Sequence, residues 1–86
     1  MITKIRKRDG REAPFNIEKI ANAIFKAAQV AGGHDYDISL KLAEDVAILL
    51  EQKFKGEVPE VEDIQDVVEK VLIENGHAKT AKEYII

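Results

Sequence analysis

The chain has 86 residues, 45% hydrophobic and 34% charged, which fits one folded core and leaves no length for a second. Cysteine is absent, excluding disulfides, thiolate metal sites and cysteine nucleophiles. No apolar run approaches the roughly 20 residues of a membrane helix and no secretory pattern opens the chain, so a reducing, cytoplasmic setting is the expectation. The net charge of -3 is unevenly spread: residues 1–20 hold six basic residues against three acidic ones, and the remainder holds seven against thirteen. A basic head precedes an acidic body, and the acidity of the body argues against nucleic acid as a partner.

The head reads as a hairpin. Asp9-Gly10 is a signal for a two-residue type I′ turn, with Ile2 to Arg8 as the first arm and Arg11 to Phe15 as the second. Pro14 cannot donate to a ladder, so the second arm is an edge or ends there. Asn16 suits an N-cap, with Phe15 and Ile20 at the two positions of a hydrophobic staple. Ile17, Ile20, Ala21, Ile24, Ala27, Ala28 and Ala31 then keep helical spacing until Gly32-Gly33. A second helix is expected from near Asp37 or Ser39, with Leu42, Val46, Leu49 and Ala43, Ala47, Leu50, Phe54 as its buried rows.

Gly56 breaks that helix, and Glu57-Val58 is expected to form a short extended piece. A third helix begins at about Pro59 to Glu60, with Val61, Ile64, Val68 and Val71 facing inward, and ends at Asn75-Gly76. A fourth runs from Ala78 toward Ile86, with Ala78, Ala81 and Ile85 on one side. The apolar end Tyr84-Ile85-Ile86 has no stop signal, so residues 1–86 are expected to be one domain excised from a longer chain. The class is a small α+β domain: about four helices capped by a basic hairpin or a three-stranded sheet.

Little in the sequence points to catalysis. Gly32-Gly33 lacks the Gly-Lys-Ser/Thr that completes a P-loop. His34 and His77 lie far apart in sequence and each neighbours a glycine at a helix end, where a solvated residue is expected. Asp35 and Asp37 lack the rest of a calcium loop and read as turn and cap residues. Lys7, Arg8, Asn16 and Lys19 differ as a group. A hairpin folded back on the first helix brings three cations, an amide and free helix N–H groups together, an arrangement suited to phosphate. Ile5, Phe15 and Ile20 supply apolar surface beside them.

Lys7-Arg8-Asp9-Gly10 followed by Phe15-Asn16-Ile17-Glu18-Lys19-Ile20 resembles the opening of the ATP-cone domain. Val61-Glu62-Asp63-Ile64-Gln65-Asp66-Val67-Val68-Glu69 and Ala78-Lys79-Thr80-Ala81-Lys82-Glu83-Tyr84-Ile85 resemble its third and fourth helices. The four blocks occur in order over essentially the whole chain. The resemblance implies a helical bundle capped by a small three-stranded sheet, Glu57-Val58 being the third strand. It implies an allosteric sensor without catalytic residues or a cofactor of its own, with ATP or dATP as effector, with or without Mg, acting on the catalytic core of a parent ribonucleotide reductase. Self-association through the domain belongs to the same expectation.

By that resemblance Lys7 and Arg8 meet the triphosphate and Lys19 assists. Asn16 addresses the adenine, Ile5, Phe15 and Ile20 line the base pocket, and Val61 and Gln65 approach base and sugar. Aerobic relatives often carry Thr and His where Val61 and Gln65 stand, and Ile64-Gln65-Asp66 is closer in wording to anaerobic or cobalamin-dependent reductases. Two other readings stay open: the nucleotide-sensing part of a transcriptional repressor of reductase genes, and a structural or oligomerisation domain that has lost its ligand.

Overall fold

The computed structural model describes residues 1–84. Two short strands, β1 (Lys4–Arg6) and β2 (Glu12–Pro14), pair antiparallel with Ile5 opposite Ala13. Four helices follow: α1 (Ile17–Val30), α2 (Tyr36–Phe54), α3 (Val61–Glu74) and α4 (Ala78–Tyr84). Helix α1 packs on α2 and α4, and α3 packs on the same two, so the core lies between all four. No helix among the described residues is long and apolar enough to cross a membrane.

The hairpin forms where expected but turns differently. The loop has three residues, Arg8-Asp9-Gly10, closed by the Gly10 N–H donating to the Lys7 carbonyl (2.9 Å) and the Lys7 N–H donating to the Arg11 carbonyl (2.7 Å). Gly10 alone takes positive φ, at 88°, whereas a type I′ turn requires it at Asp9 as well. The Asp9 carboxylate fixes this geometry. It accepts the Arg11 N–H at 3.0 Å and Arg11 Nε at 2.7 Å, and these contacts hold its pKa below the ordinary 3.8.

The third strand does not form among the described residues, where the sheet has two strands. The Glu57 N–H donates to the Phe54 carbonyl (2.8 Å), which ties the segment to the end of α2. A single parallel bridge forms further along, between Arg6 and Glu60, through the Arg6 N–H donating to the Pro59 carbonyl at 2.9 Å. Proline has no N–H with which to extend it.

Helix α1 is capped by Asn16, whose Oδ1 accepts the Glu18 N–H at 2.9 Å. Its inward row is as the spacing predicts, with Ile20, Ala21, Ile24 and Ala27 buried. It ends where the Gly33 N–H donates to the Ala28 carbonyl (2.7 Å), with Gly32 at φ 100°. Helix α2 starts earlier than Asp37 or Ser39: Asp35 is the cap, its Oδ1 accepting the Asp37 N–H (2.9 Å). Tyr36 then packs edge-on against Phe25 of α1, ring centroids 5.4 Å apart, and donates its hydroxyl to Asn22 Oδ1 (3.0 Å). Both contacts anchor the first turn of α2 to α1.

Helix α3 begins as read, with the Glu60 N–H donating to Asp63 Oδ2 (2.9 Å). Ile64, Val68 and Val71 are buried, and Val67 and Leu72 join them. In α4, Thr80 and Ala81 are buried and Ala78 is exposed, while Ile85 lies outside the described residues. Ile24, Val46, Leu50, Val68 and Leu72 are almost wholly enclosed. Each such side chain contributes about 1.5–3 kcal/mol by burial.

Candidate functional site

The hairpin lies over the end of the bundle where α1 and α3 begin, and a cleft of about 470 Å³ opens beneath it. Strand β1 contributes Ile5, and Lys7 follows it at the turn. Helix α1 and its cap contribute Phe15, Asn16, Lys19 and Ile20. Helix α3 contributes Val61, Ile64 and Gln65. Thus Lys7, Lys19, Ile5, Phe15, Asn16, Ile20, Val61 and Gln65, singled out from the sequence, line one space. Arg8 does not; its Nε is 2.8 Å from Glu62 Oε1 in the first turn of α3.

The charges sort clearly. Four of the six basic residues of the head are ion-paired: Lys4 and Arg6 with Glu12, Arg11 with Asp9, and Arg8 with Glu62. Lys7 and Lys19 form no ion pair among the described residues, and both line the cleft. No carboxylate among the described residues lines it. Two uncompensated ammonium groups beside apolar walls suit an anionic ligand with a flat apolar part. Asn16 spends its Oδ1 on the helix cap, so its amide NH₂ is what remains to meet a ligand.

Sequence reasoning missed Tyr84, which reaches the cleft from α4 and is half-buried there. Burial pushes its phenol above the ordinary 10.0, so the hydroxyl stays neutral and can both donate and accept at neutral pH. An aromatic near the end of an amphipathic helix was the only signal, and it reads equally as core. The histidines, far apart in sequence, line one small cavity of about 110 Å³ toward the opposite end. Asp35 lines it too, with its carboxylate spent on the α2 cap, and no group of three His, Cys, Asp or Glu among the described residues is placed to hold a metal ion.

A second groove, of about 770 Å³, lies on the other side of Pro14, Phe15 and Asn16, which line both spaces. Its acids are Glu18, Glu44 and Glu51; its one lysine, Lys41, is bound to Asp45 at 2.8 Å, and the Met1 ammonium pairs with Glu51 at 3.1 Å. That surface repels phosphate. The first turn of α1 divides the two fields, with Glu18 facing the groove and Lys19 the cleft.

A hairpin-capped four-helix bundle with a cationic cleft under the hairpin is therefore the class of domain. The chain belongs to the ATP-cone family, the ATP cone domain matching residues 3–86. It is 42% identical over 83 residues to the vitamin B12-dependent ribonucleoside-diphosphate reductase of Mycobacterium tuberculosis (strain CDC 1551 / Oshkosh), covering 96% of this chain and 11% of that protein. It is 41% identical over 91 residues to the reductase of the same description from Thermoplasma acidophilum, covering 100% of this chain and 12% of that protein. The anaerobic ribonucleoside-triphosphate reductase of Salmonella typhimurium is 34% identical over 85 residues, covering 99% of this chain and 12% of that protein. The chain thus spans about a tenth of the length of the relatives it matches. An ATP-cone is a regulatory domain rather than a catalytic one.

Proposed function

We propose that the cleft binds ATP and dATP and that the domain thereby controls the activity of a cytoplasmic ribonucleotide reductase of which it is part. The observation that supports this is the pair Lys7 and Lys19, without ion pairs among the described residues, in an apolar cleft that no described carboxylate lines. A volume of about 470 Å³ falls among small-molecule sites, which typically span about 300–1,000 Å³. Lys7 and Arg8 meet the triphosphate, Arg8 after leaving Glu62, and Lys19 assists from α1, with Mg accompanying the phosphates. Asn16 addresses the adenine, Ile5, Phe15 and Ile20 enclose the base, and Val61 and Gln65 approach base and sugar. That the relatives are reductases favours this reading over a transcriptional repressor.

Ligand in this position touches the hairpin, α1 and α3 together and fixes their relative placement. Regulation requires that ATP and dATP favour different arrangements, because equal affinity for both states shifts nothing. The two effectors differ by one hydroxyl, so the sensing contact lies near the sugar, and the exposed Gln65 carboxamide is the group we assign to it. Calorimetric titration of the folded chain with each nucleotide tests the reading. Saturable heat that weakens as salt rises is expected. The absence of both heat and spectral change at millimolar nucleotide would sink it.

A further inference from the structure

We propose that the acidic groove on the far side of Phe15 is a docking surface for an amphipathic helix that carries lysine or arginine beside its apolar anchors. The groove is the largest cavity among those described, and the nucleotide reading leaves it unused. Its floor is apolar: Ile2 and Phe15 are half-buried there, and Ile48 of α2 stands 56% exposed. Its rim is acidic, with Glu18 on α1 and Glu44 and Glu51 on α2. An isoleucine held open to water between carboxylates is poor solvation for the side chain and a good seat for an apolar anchor flanked by cations.

The shape selects a helix. The residues that α2 gives to the groove run from Lys41 to Glu51 at spacings of three and four. They form one stripe about 15 Å long at 1.5 Å per residue. A helix of two to three turns laid along it would place anchors at i, i+3 or i+4, and i+7.

The charge selects the sign of the occupant. Lys41 is already committed to Asp45 and Glu51 is paired with the Met1 ammonium at 3.1 Å, so Glu18 and Glu44 are the rim acids that have no ion pair among the described residues. That field rejects anionic lipid and nucleic acid. It also disfavours a second copy of this chain, whose residues 21–86 are acidic in balance and whose hairpin arginines are ion-paired.

The test needs no nucleotide, so its failure is separate from failure of the nucleotide reading. Two labelled synthetic helical peptides share leucines at i, i+3 and i+7 and differ only in carrying lysine or glutamate at the flanking positions. Fluorescence anisotropy with the 86-residue chain should show the lysine peptide binding, its affinity falling as salt rises, and the glutamate peptide failing to bind. Ile48→Ser combined with Glu44→Lys should weaken the lysine peptide by about tenfold or more, as expected for loss of an interface anchor. Both positions are exposed, and unchanged circular dichroism would show the fold intact. Absence of binding by the lysine peptide, equal binding of the two peptides, or indifference to the double substitution overturns the proposal. Sedimentation of the chain alone supplies the last arm: self-association that the same substitutions abolish would make a second copy the occupant and overturn it too.

Discussion

Glu62 and a bound triphosphate should compete for Arg8, and the size of that competition follows from the ion pair. Arg8 Nε lies 2.8 Å from Glu62 Oε1, but the two side chains are 68% and 52% exposed. Solvent and salt screen such a pair, which is worth only about 0.2–1 kcal/mol. A charge-assisted contact to phosphate is worth about 1.5–3 kcal/mol, so Arg8 gains by about 0.5–3 kcal/mol on changing partner. Glu62→Gln removes the rival and should tighten ATP binding by up to about fivefold, at 1.4 kcal/mol per tenfold. Arg8→Ala should then weaken binding more in the Glu62→Gln background than in the wild type, because the whole phosphate contact is lost rather than the difference. Calorimetric titration of the four proteins closes the cycle. Glu69→Gln, which removes the same charge two turns further along α3, serves as control for through-space effects. If Glu62→Gln leaves affinity unchanged and Arg8→Ala costs the same in both backgrounds, Arg8 does not exchange partners and the reasoning fails.

Four further outcomes are expected. Lys7→Ala should weaken triphosphate binding by about 1.5–3 kcal/mol and Lys19→Ala by somewhat less, measured by the same titration, since neither lysine must first leave a carboxylate. Gln65→Ala should narrow the dATP-to-ATP affinity ratio with phosphate binding largely retained, and an unchanged ratio would remove Gln65 from sugar sensing. Ile24→Ala, at a side chain 1% exposed between the helices, should lower unfolding free energy by about 2–5 kcal/mol in urea denaturation. Asp9 has its folded pKa lowered by the Arg11 contacts, so what its carboxylate contributes is full above the unfolded value of 3.8 and is lost as pH falls through the lower folded value. The turn should therefore loosen only in strong acid, and Asp9→Asn should remove that dependence in an NMR titration.

The helices were legible in the sequence because their apolar rows are long. The α1 row from Ile17 to Ala31 is buried or half-buried at every position the spacing selects. Starts and turns were less legible, for local reasons. Asp35, Asp37 and Ser39 are all competent caps, and Asp35 wins because the frame it sets lets Tyr36 reach Phe25 and Asn22 on another helix. Asp9-Gly10 signals a turn correctly, but the longer loop is favoured by Arg11, two residues past Asp9. In the cleft, the residues on the hairpin, α1 and α3 sit together because the blocks that carry them flank the same helix starts. Tyr84 was invisible because its place depends on α4 folding back on α1 and α3, a closure that no local pattern encodes. The pairing of Arg8 with Glu62 was hidden for the same reason, the two being remote in sequence.

Adjacent amides at the end of β1 and just past it face opposite neighbours, and this gives the domain a pair of internal clocks. The Arg6 N–H leaves the ribbon to reach the Pro59 carbonyl, whereas the next amide, on Lys7, stays within it on the Arg11 carbonyl. Deuterium therefore enters at Arg6 whenever the hairpin lifts from the start of α3, and at Lys7 only when the hairpin itself comes apart. The ratio of the two exchange rates separates lifting from unravelling at two neighbouring positions. A ligand seated between hairpin and α3 should slow the first clock more than the second, and one that merely firmed the turn should do the reverse.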